Sequence, residues 1–249
     1  MPRCGYAKCT MHGNDLALVL TGTIIPNAPF TAHADPQTRR REYLAALGFY
    51  RQFAPVYFLE NSGYALHNDA EFAALSGVEL RSQPLSSAAE RGKGYQEFEM
   101  LDGWLASEAQ PPARWVKITG RYFFRNFGRL WANCQRARNA DLLIDRCARS
   151  HWARSYLFCV TTDFYRRQLA GIYQECDDAQ GDYIERVLYR RLAALPEARV
   201  RLFASEPRLT GVSGTTAESI ETDARRYVVK RILRKLNYAL DRRQLWYTT

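Results

Sequence analysis

The sequence predicts a single α/β domain followed by a basic helix, and three observations carry that reading. Short apolar runs rich in Val, Ile and Leu alternate with segments whose apolar residues recur every three to four positions, the periods of strand and helix. The chain has 249 residues, of which 47% are hydrophobic and 13% aromatic, enough for a sizeable core and the opposite of a disordered composition. Much of its +9 net charge gathers near the C-terminus. The expected organisation is an N-terminal tail over 1–14, the α/β domain over 15–216 and the basic helix over 217–249.

The first element is Asp15–Ile25, a buried strand closed by Pro26 and Pro29. With only ten residues in Leu16–Ile25, this best apolar run falls short of the ~18–20 a membrane span needs. It also lacks a small-residue cleavage site, so the cytosol is the expected location. Thr38–Phe53 places Tyr43, Leu44, Leu47, Tyr50 and Phe53 at helical spacing, and Val56–Leu59 is a second strand, which completes a βαβ unit. Val78–Ser82 reads as a weaker strand and Tyr95–Ser107 as a helix with Tyr95, Phe98, Leu101 and Leu105 on one stripe. Trp115–Thr119, Asp141–Ile144 and Tyr156–Thr161 are strands, and Asp163–Glu175 and Asp182–Leu195 are helices. Arg199–Phe203 is a last short strand, Gly211–Thr216 a loop, and Thr222–Arg243 the terminal helix.

Six cysteines spread through a chain of this size do not form a disulfide framework. Cys4, Cys9 and His12 lie close together but lack a fourth ligand, so no zinc site is expected. Ligands of open α/β sheets bind outside the carboxyl ends of the strands, which directs attention to the residues just beyond each strand. Thr21-Gly22-Thr23 stands at the end of the first, Glu60-Asn61-Ser62-Gly63 at the end of the second, and Gly120-Arg121-Tyr122 after the strand ending at Thr119. Turns favour such residues for conformational reasons too; their repeated placement at strand ends is what suggests a nucleotide site. Arg91-Gly92-Lys93-Gly94, just before a helix, suits a phosphate cradle. Neither a Walker pattern nor a G-x-G-x-x-G is present, which excludes the P-loop NTPase and dinucleotide signatures. Asp182-Tyr-Ile-Glu185 reads either as a capping box or as a carboxylate suited to general-base work.

These residues stand within longer stretches: LTGTI at Leu20–Ile24, ENSGY at Glu60–Tyr64 and GKGYQEFEMLD at Gly92–Asp102. KITGRYFFRN at Lys117–Asn126, DYIER at Asp182–Arg186 and GVSGTT at Gly211–Thr216 complete the set. In that order, over much of Leu16–Thr216, the sequence resembles small bacterial glycosyltransferases of capsule and O-antigen assembly. The resemblance implies a GT-A-like fold, a Rossmann-type mixed sheet flanked by helices. It implies a nucleotide-sugar donor, a UDP-sugar by preference, and a glycan or lipid-linked glycan acceptor. Thr21, Gly22 and Thr23 would then face the nucleotide, Glu60 and Asn61 the base or ribose, and Lys93, Lys117 and Arg121 the diphosphate.

One departure matters. Most GT-A enzymes carry an Asp-x-Asp where this chain has Gly120-Arg121-Tyr122, and none occurs anywhere in the sequence. Lys and Arg are therefore expected to do the work of a divalent metal, so no metal cofactor is expected. The expected mechanism is inverting displacement, with Glu185, or failing that Asp182, as the base.

Thr222–Arg243 holds eight basic residues against two acidic, a net of +6, with Val229, Ile232, Leu233, Leu236 and Leu240 along one stripe. Such a helix either lies on an anionic membrane surface or packs its stripe on the domain. The first would put the chain on the inner face of the cytoplasmic membrane. A nucleic-acid-binding protein is the rival suggested by net charge, but zinc-finger spacing, an RNP-like strand and a helix-turn-helix are all missing, so no nucleic-acid partner is expected. A non-catalytic interaction module is the third reading.

Overall fold

The computed structural model describes residues 16–29, 31–148, 150–195, 199–221, 227–230 and 232. The tail over 1–14, with Cys4, Cys9 and His12, and most of the basic C-terminal helix lie outside them. The strands are β1 (Leu16–Gly22), β2 (Val56–Glu60), β3 (Val78–Ser82), β4 (Arg114–Thr119), β5 (Phe123–Phe124), β6 (Leu142–Cys147), β7 (Trp152–Thr161), β8 (Val200–Arg201), β9 (Leu209–Val212) and β10 (Ser219–Glu221). The helices are α1 (Pro36–Tyr50), α2 (Ala70–Ala73), α3 (Lys93–Ser107), α4 (Phe127–Arg136), α5 (Thr162–Phe164) and α6 (Ile184–Ala193).

Seven strands form one mixed sheet in the order β3-β2-β1-β4-β7-β6-β8. The β3-β2-β1-β4 half is parallel; β7 runs antiparallel to both β4 and β6. β1 shows why the sheet is buried on both faces. Leu18 and Leu20 join Tyr43, Leu47 and Tyr50 of α1 and Phe127 and Leu130 of α4, while Ala17 and Val19 join Phe98, Leu101 and Trp104 of α3 and Val187 and Leu188 of α6. A run of apolar residues without alternation is what a strand covered on both sides requires. Each fully buried Leu or Phe stabilises by roughly 1.5–3 kcal/mol. The small sheet β10-β9-β5 lies beside the large one.

Local chemistry sets the helix ends. α1 starts at Pro36, two residues before the expected Thr38, because the Asp35 carboxylate accepts the Thr38 N–H at 2.7 Å. It stops at Tyr50, short of the expected Phe53, where the Phe53 N–H folds back to the Tyr50 carbonyl at 3.0 Å. The helix expected over Asp163–Glu175 is broken instead. Residues Tyr165–Leu169 form a π-helical turn, Gly171 is left-handed at φ 78°, and Ile172–Glu175 is a 3₁₀ turn. The half-buried Asp102 carboxylate organises the break, accepting from Tyr165 Oη at 2.8 Å and the Gly171 N–H at 2.6 Å.

Three further expectations are corrected. α6 begins at Ile184 and its cap is Tyr183, with no side-chain bond, so Asp182 and Glu185 do not form a capping box. Asp182 is held extended by paired backbone bonds with Asp177, 3.0 Å each way. The loop expected over Gly211–Thr216 begins as strand, since β9 runs to Val212 and pairs with both β5 and β10. Residues 219–221, assigned to the terminal segment, belong to β10. Residues 227–230 and 232 are helical; Tyr227 is buried beneath the Arg208 guanidinium, whereas Val228, Val229 and Ile232 are exposed. α4 is absent from the expected elements, although Phe127, Leu130 and Cys134 are buried along it at helical spacing.

Candidate active site

The sheet order reverses between β1, whose chain continues toward β2 and β3, and β4 on its other side. Crossovers leaving such a point in opposite directions open a crevice at the carboxyl ends of the strands. A cavity of about 810 Å³ lies there, within the size range of small-molecule sites. Thr21, Gly22 and Thr23 at the end of β1 line it, as do Thr119 and Arg121 at the end of β4. The two strand ends approach closely: the Gly120 N–H donates to the Thr21 carbonyl at 2.9 Å, and a Cβ on Gly120 would stand 2.7 Å from that oxygen.

Lys93, Arg121 and Glu185 also line the cavity. Arg39, from α1, is a lining residue that the sequence did not single out. Its guanidinium reaches over the β1 end, donating from Nε and Nη2 to the Thr23 carbonyl at 2.7 and 2.5 Å and from Nη1 to the His33 carbonyl at 3.0 Å. Only its place in the Arg39-Arg40-Arg41 run marked it as basic. Arg121, 6% exposed, donates to the Glu42 carboxylate and the Val212 carbonyl, both at 3.3 Å, while its buried Nε has no partner among the described residues. Lys93 Nζ donates to Thr215 Oγ1 at 2.8 Å. Burial holds the Lys93 ammonium below its ordinary range, and the nearby Arg121 and Arg39 charges push the same way while Asp178 opposes. This is a cationic cluster that an anion would relieve.

Carboxylates line the same cavity. Glu185 reaches Ser155 of β7, whose hydroxyl donates to its Oε1 at 2.6 Å. Pairing between β6 and β7 shifts register between Ile144 and Arg146, and Ser155 lies in the corresponding stretch of β7. Such bulges re-aim side chains. Burial pushes the Glu185 carboxyl above its ordinary value, with the Glu97 charge adding to the rise and Ser155 and Lys117 opposing it. Glu97, also absent from the expected set, lines the cavity between the β1 and β4 ends. Its Oε1 accepts from Thr21 Oγ1 at 2.5 Å, Lys117 Nζ at 2.7 Å and Thr119 Oγ1 at 3.1 Å.

Four expected site residues do not reach the cavity. Lys117 is fully buried behind it, bound to Glu97, Thr119 Oγ1 and the Ser155 carbonyl, and it compensates Glu97 rather than meeting a ligand. Glu60 is buried and accepts the N–H groups of Ile24 and Ser62 at 3.0 Å, which fixes the turn after β1. Asn61 accepts from Thr23 Oγ1 at 2.7 Å and supports the same turn. Asp182 is outside, paired with Arg190 Nη1 at 2.6 Å on the surface. The cradle at Arg91–Gly94 is likewise altered. Arg91 donates to the carbonyls of Cys176 and Gln174, and the Asp178 carboxylate accepts the Lys93 backbone N–H, so the start of α3 already holds an anion. Gly92, at φ 110°, is packed so closely that a Cβ there would stand 2.1 Å from the Asp178 carboxylate.

Among the described residues no group of three His, Cys, Asp or Glu side chains converges to hold a metal ion. No helix among them is long and apolar enough to cross a membrane. Among the described residues Cys134, Cys147, Cys159 and Cys176 are buried and in no disulfide.

No protein-family model and no curated protein matches the sequence. Solved structures do. A candidate nucleotide-diphospho-sugar transferase of Desulfovibrio desulfuricans is 10% identical, with 76% of this chain and 80% of that one covered, at a TM-score of 0.46. Mouse xyloside xylosyltransferase 1 is 10% identical over 75% of this chain and 84% of its own, at 0.43. A mannosyltransferase of Pyrobaculum calidifontis, solved with GDP-mannose and Mn²⁺, is 9% identical over 92% of this chain and 65% of its own, at 0.46. Likeness at that level assigns neither residue nor reaction to this chain.

Proposed function

We propose that the protein is a glycosyltransferase that moves a sugar from a nucleotide-sugar donor, a UDP-sugar by preference, to a glycan acceptor. The observation that carries this reading is the presence of two oppositely charged groups in one cavity at the sheet's reversal point: the Arg39, Lys93 and Arg121 cluster, and the half-buried Glu185 carboxylate. The cations suit a diphosphate, and the Arg121 Nε, without a partner among the described residues, is a donor able to meet it. A carboxyl raised toward neutrality is a stronger base than a solvated one.

In the proposed reaction the Glu185 carboxylate takes the proton of an acceptor hydroxyl, whose oxygen attacks the anomeric carbon from the face opposite the diphosphate. The bond from that carbon to the diphosphate oxygen breaks, and the nucleoside diphosphate leaves with the electron pair. Lys93 and Arg121 stabilise the developing charge, so the transfer is inverting and independent of a divalent metal. The proposed acceptor is a lipid-linked glycan of bacterial capsule or O-antigen synthesis, made at the cytoplasmic face of the membrane. The exposed Val228, Val229 and Ile232 support a membrane-facing helix. Loss of vesicle flotation in a Val229→Asp, Ile232→Asp variant tests that part.

The central test is thermal unfolding with UDP-, GDP-, CMP- and dTDP-sugars, with EDTA or with Mn²⁺. A true donor at a hundredfold excess over its Kd adds about 2.7 kcal/mol, a rise of roughly 5–10 °C for a chain of this size. The rise should persist in EDTA. A panel with no shift refutes the donor, and transfer that stops in EDTA and returns with Mn²⁺ refutes metal independence.

A further inference from the structure

The cavity has a third chemistry that neither the cations nor the carboxylates use. Trp152 and Tyr156 of β7 and Tyr183, the cap of α6, line it on the Glu185 side, away from the β1 end in the sheet order. The Trp152 and Tyr183 rings have centroids 5.9 Å apart at an interplanar angle of 47°. Tyr183 is 38% exposed and Trp152 half-buried, although the protein buries Trp104 and Trp115 completely. The Arg186 guanidinium covers one face of Tyr183, with Cζ 5.6 Å from its centroid. Large aromatic rings left open to a polar cavity are binding surfaces rather than core.

We infer that Trp152 and Tyr183 form the acceptor subsite, a platform on which the apolar C–H face of a pyranose ring stacks while one of its hydroxyls faces Glu185. The inference rests on the glycosyltransferase reading and deepens it. A pyranose ring presents a patch of C–H bonds on its face and hydroxyls around its rim. Flat rings beside a carboxylate and the Ser155 hydroxyl match both, and the base comes from the residue two positions after the platform tyrosine. The rival occupant, a nucleobase, also stacks on aromatic rings, but two of the three cations it would accompany, Arg39 and Arg121, stand at the β1 and β4 ends.

Saturation-transfer-difference NMR with methyl β-D-glucopyranoside, methyl β-D-galactopyranoside and methyl α-D-mannopyranoside tests this on the full chain, with UDP, GDP, CDP and dTDP titrated calorimetrically in parallel. The expected result is saturation of the ring C–H protons of at least one glycoside. That signal should fall about fivefold or more in Trp152→Ala and Tyr183→Ala, and equally in Trp152→Leu, which keeps apolar bulk but lacks the flat face. Nucleotide affinity should stay within about twofold, and circular dichroism should match wild type. Undiminished saturation in the variants, or none in wild type, overturns the platform, as does loss of nucleotide affinity in Trp152→Leu, which would make it a base-stacking surface. Glycoside binding without affinity for any of the four nucleotides would instead sink the donor reading and leave the sugar platform standing.

Discussion

Replacing Glu185 with Gln separates the catalytic reading from the structural one, because the two differ in sign. Glu185 sits in the first turn of α6, where a carboxylate gains roughly 0.3–1 kcal/mol from the helix dipole, and it accepts the Ser155 hydroxyl. Both favour the charged form. Burial opposes them and is the largest influence, so the folded carboxyl titrates above its ordinary 4.5. A raised acid binds more protons folded than unfolded, so its contribution to stability is present below pH 4.5 and is lost as pH rises through the folded value. Each unit of the rise costs about 1.4 kcal/mol at neutral pH. Glu185→Gln removes that cost, so the variant should equal or exceed wild type in thermal stability at pH 8, with the margin closing below pH 4.5. Turnover should fall by ~10²–10⁴ while donor affinity holds, and the acid limb of the wild-type rate profile should lie above the usual carboxylate range. Urea unfolding across pH 4–8 and initial rates of transfer measure both. Wild type gaining stability over Glu185→Gln as pH rises would refute the argument, and near-normal turnover would remove Glu185 as the base.

Lys117→Met takes the cation from the half-buried Glu97 carboxylate, which keeps only its Thr21 and Thr119 donors, a loss of about 1–3 kcal/mol seen as a lowered denaturant midpoint; Lys117→Met with Glu97→Gln should recover most of it, since the uncompensated charge is then gone. No recovery would show that the lost packing, not the stranded charge, is the cause. Gly92→Ala puts a side chain at φ 110° and 2.1 Å from Asp178, so the melting temperature should drop by several degrees, the effect of about 1–3 kcal/mol of strain, and an unchanged melt would contradict the geometry. Asp182→Asn breaks only the surface pair with Arg190, so stability should change by ~1 kcal/mol or less and turnover should stay normal. A turnover loss there matching that of Glu185→Gln would return Asp182 to the site.

The sequence alone determined the layers. Apolar runs such as Leu16–Leu20 and Val56–Leu59 have no polar face, which only a sheet covered on both sides can use, and the stripe of Phe98, Leu101 and Leu105 could only be a helix over it. Strand ends named the neighbourhood of the site, because position along a parallel strand is legible from where the apolar run stops. Thr21, Gly22, Thr23, Lys93, Arg121 and Glu185 do line one cavity. The difference between Lys117 and Arg121, or between Glu185 and Asp182, was not legible, since each pair is close in sequence and alike in charge. Lys117 lies inside β4, where helices cover both faces of the sheet, whereas Arg121 follows the strand's end, and the Asp177–Asp182 backbone pair holds Asp182 outside the turn that presents Glu185. Arg39, Glu97 and the Trp152–Tyr183 pair come from four elements distant in sequence. Local pattern fixes which residues a strand or helix exposes, but only the packing of β1, β4, β7 and α3 against one another decides which exposed groups share a cavity and which ones neutralise each other behind it.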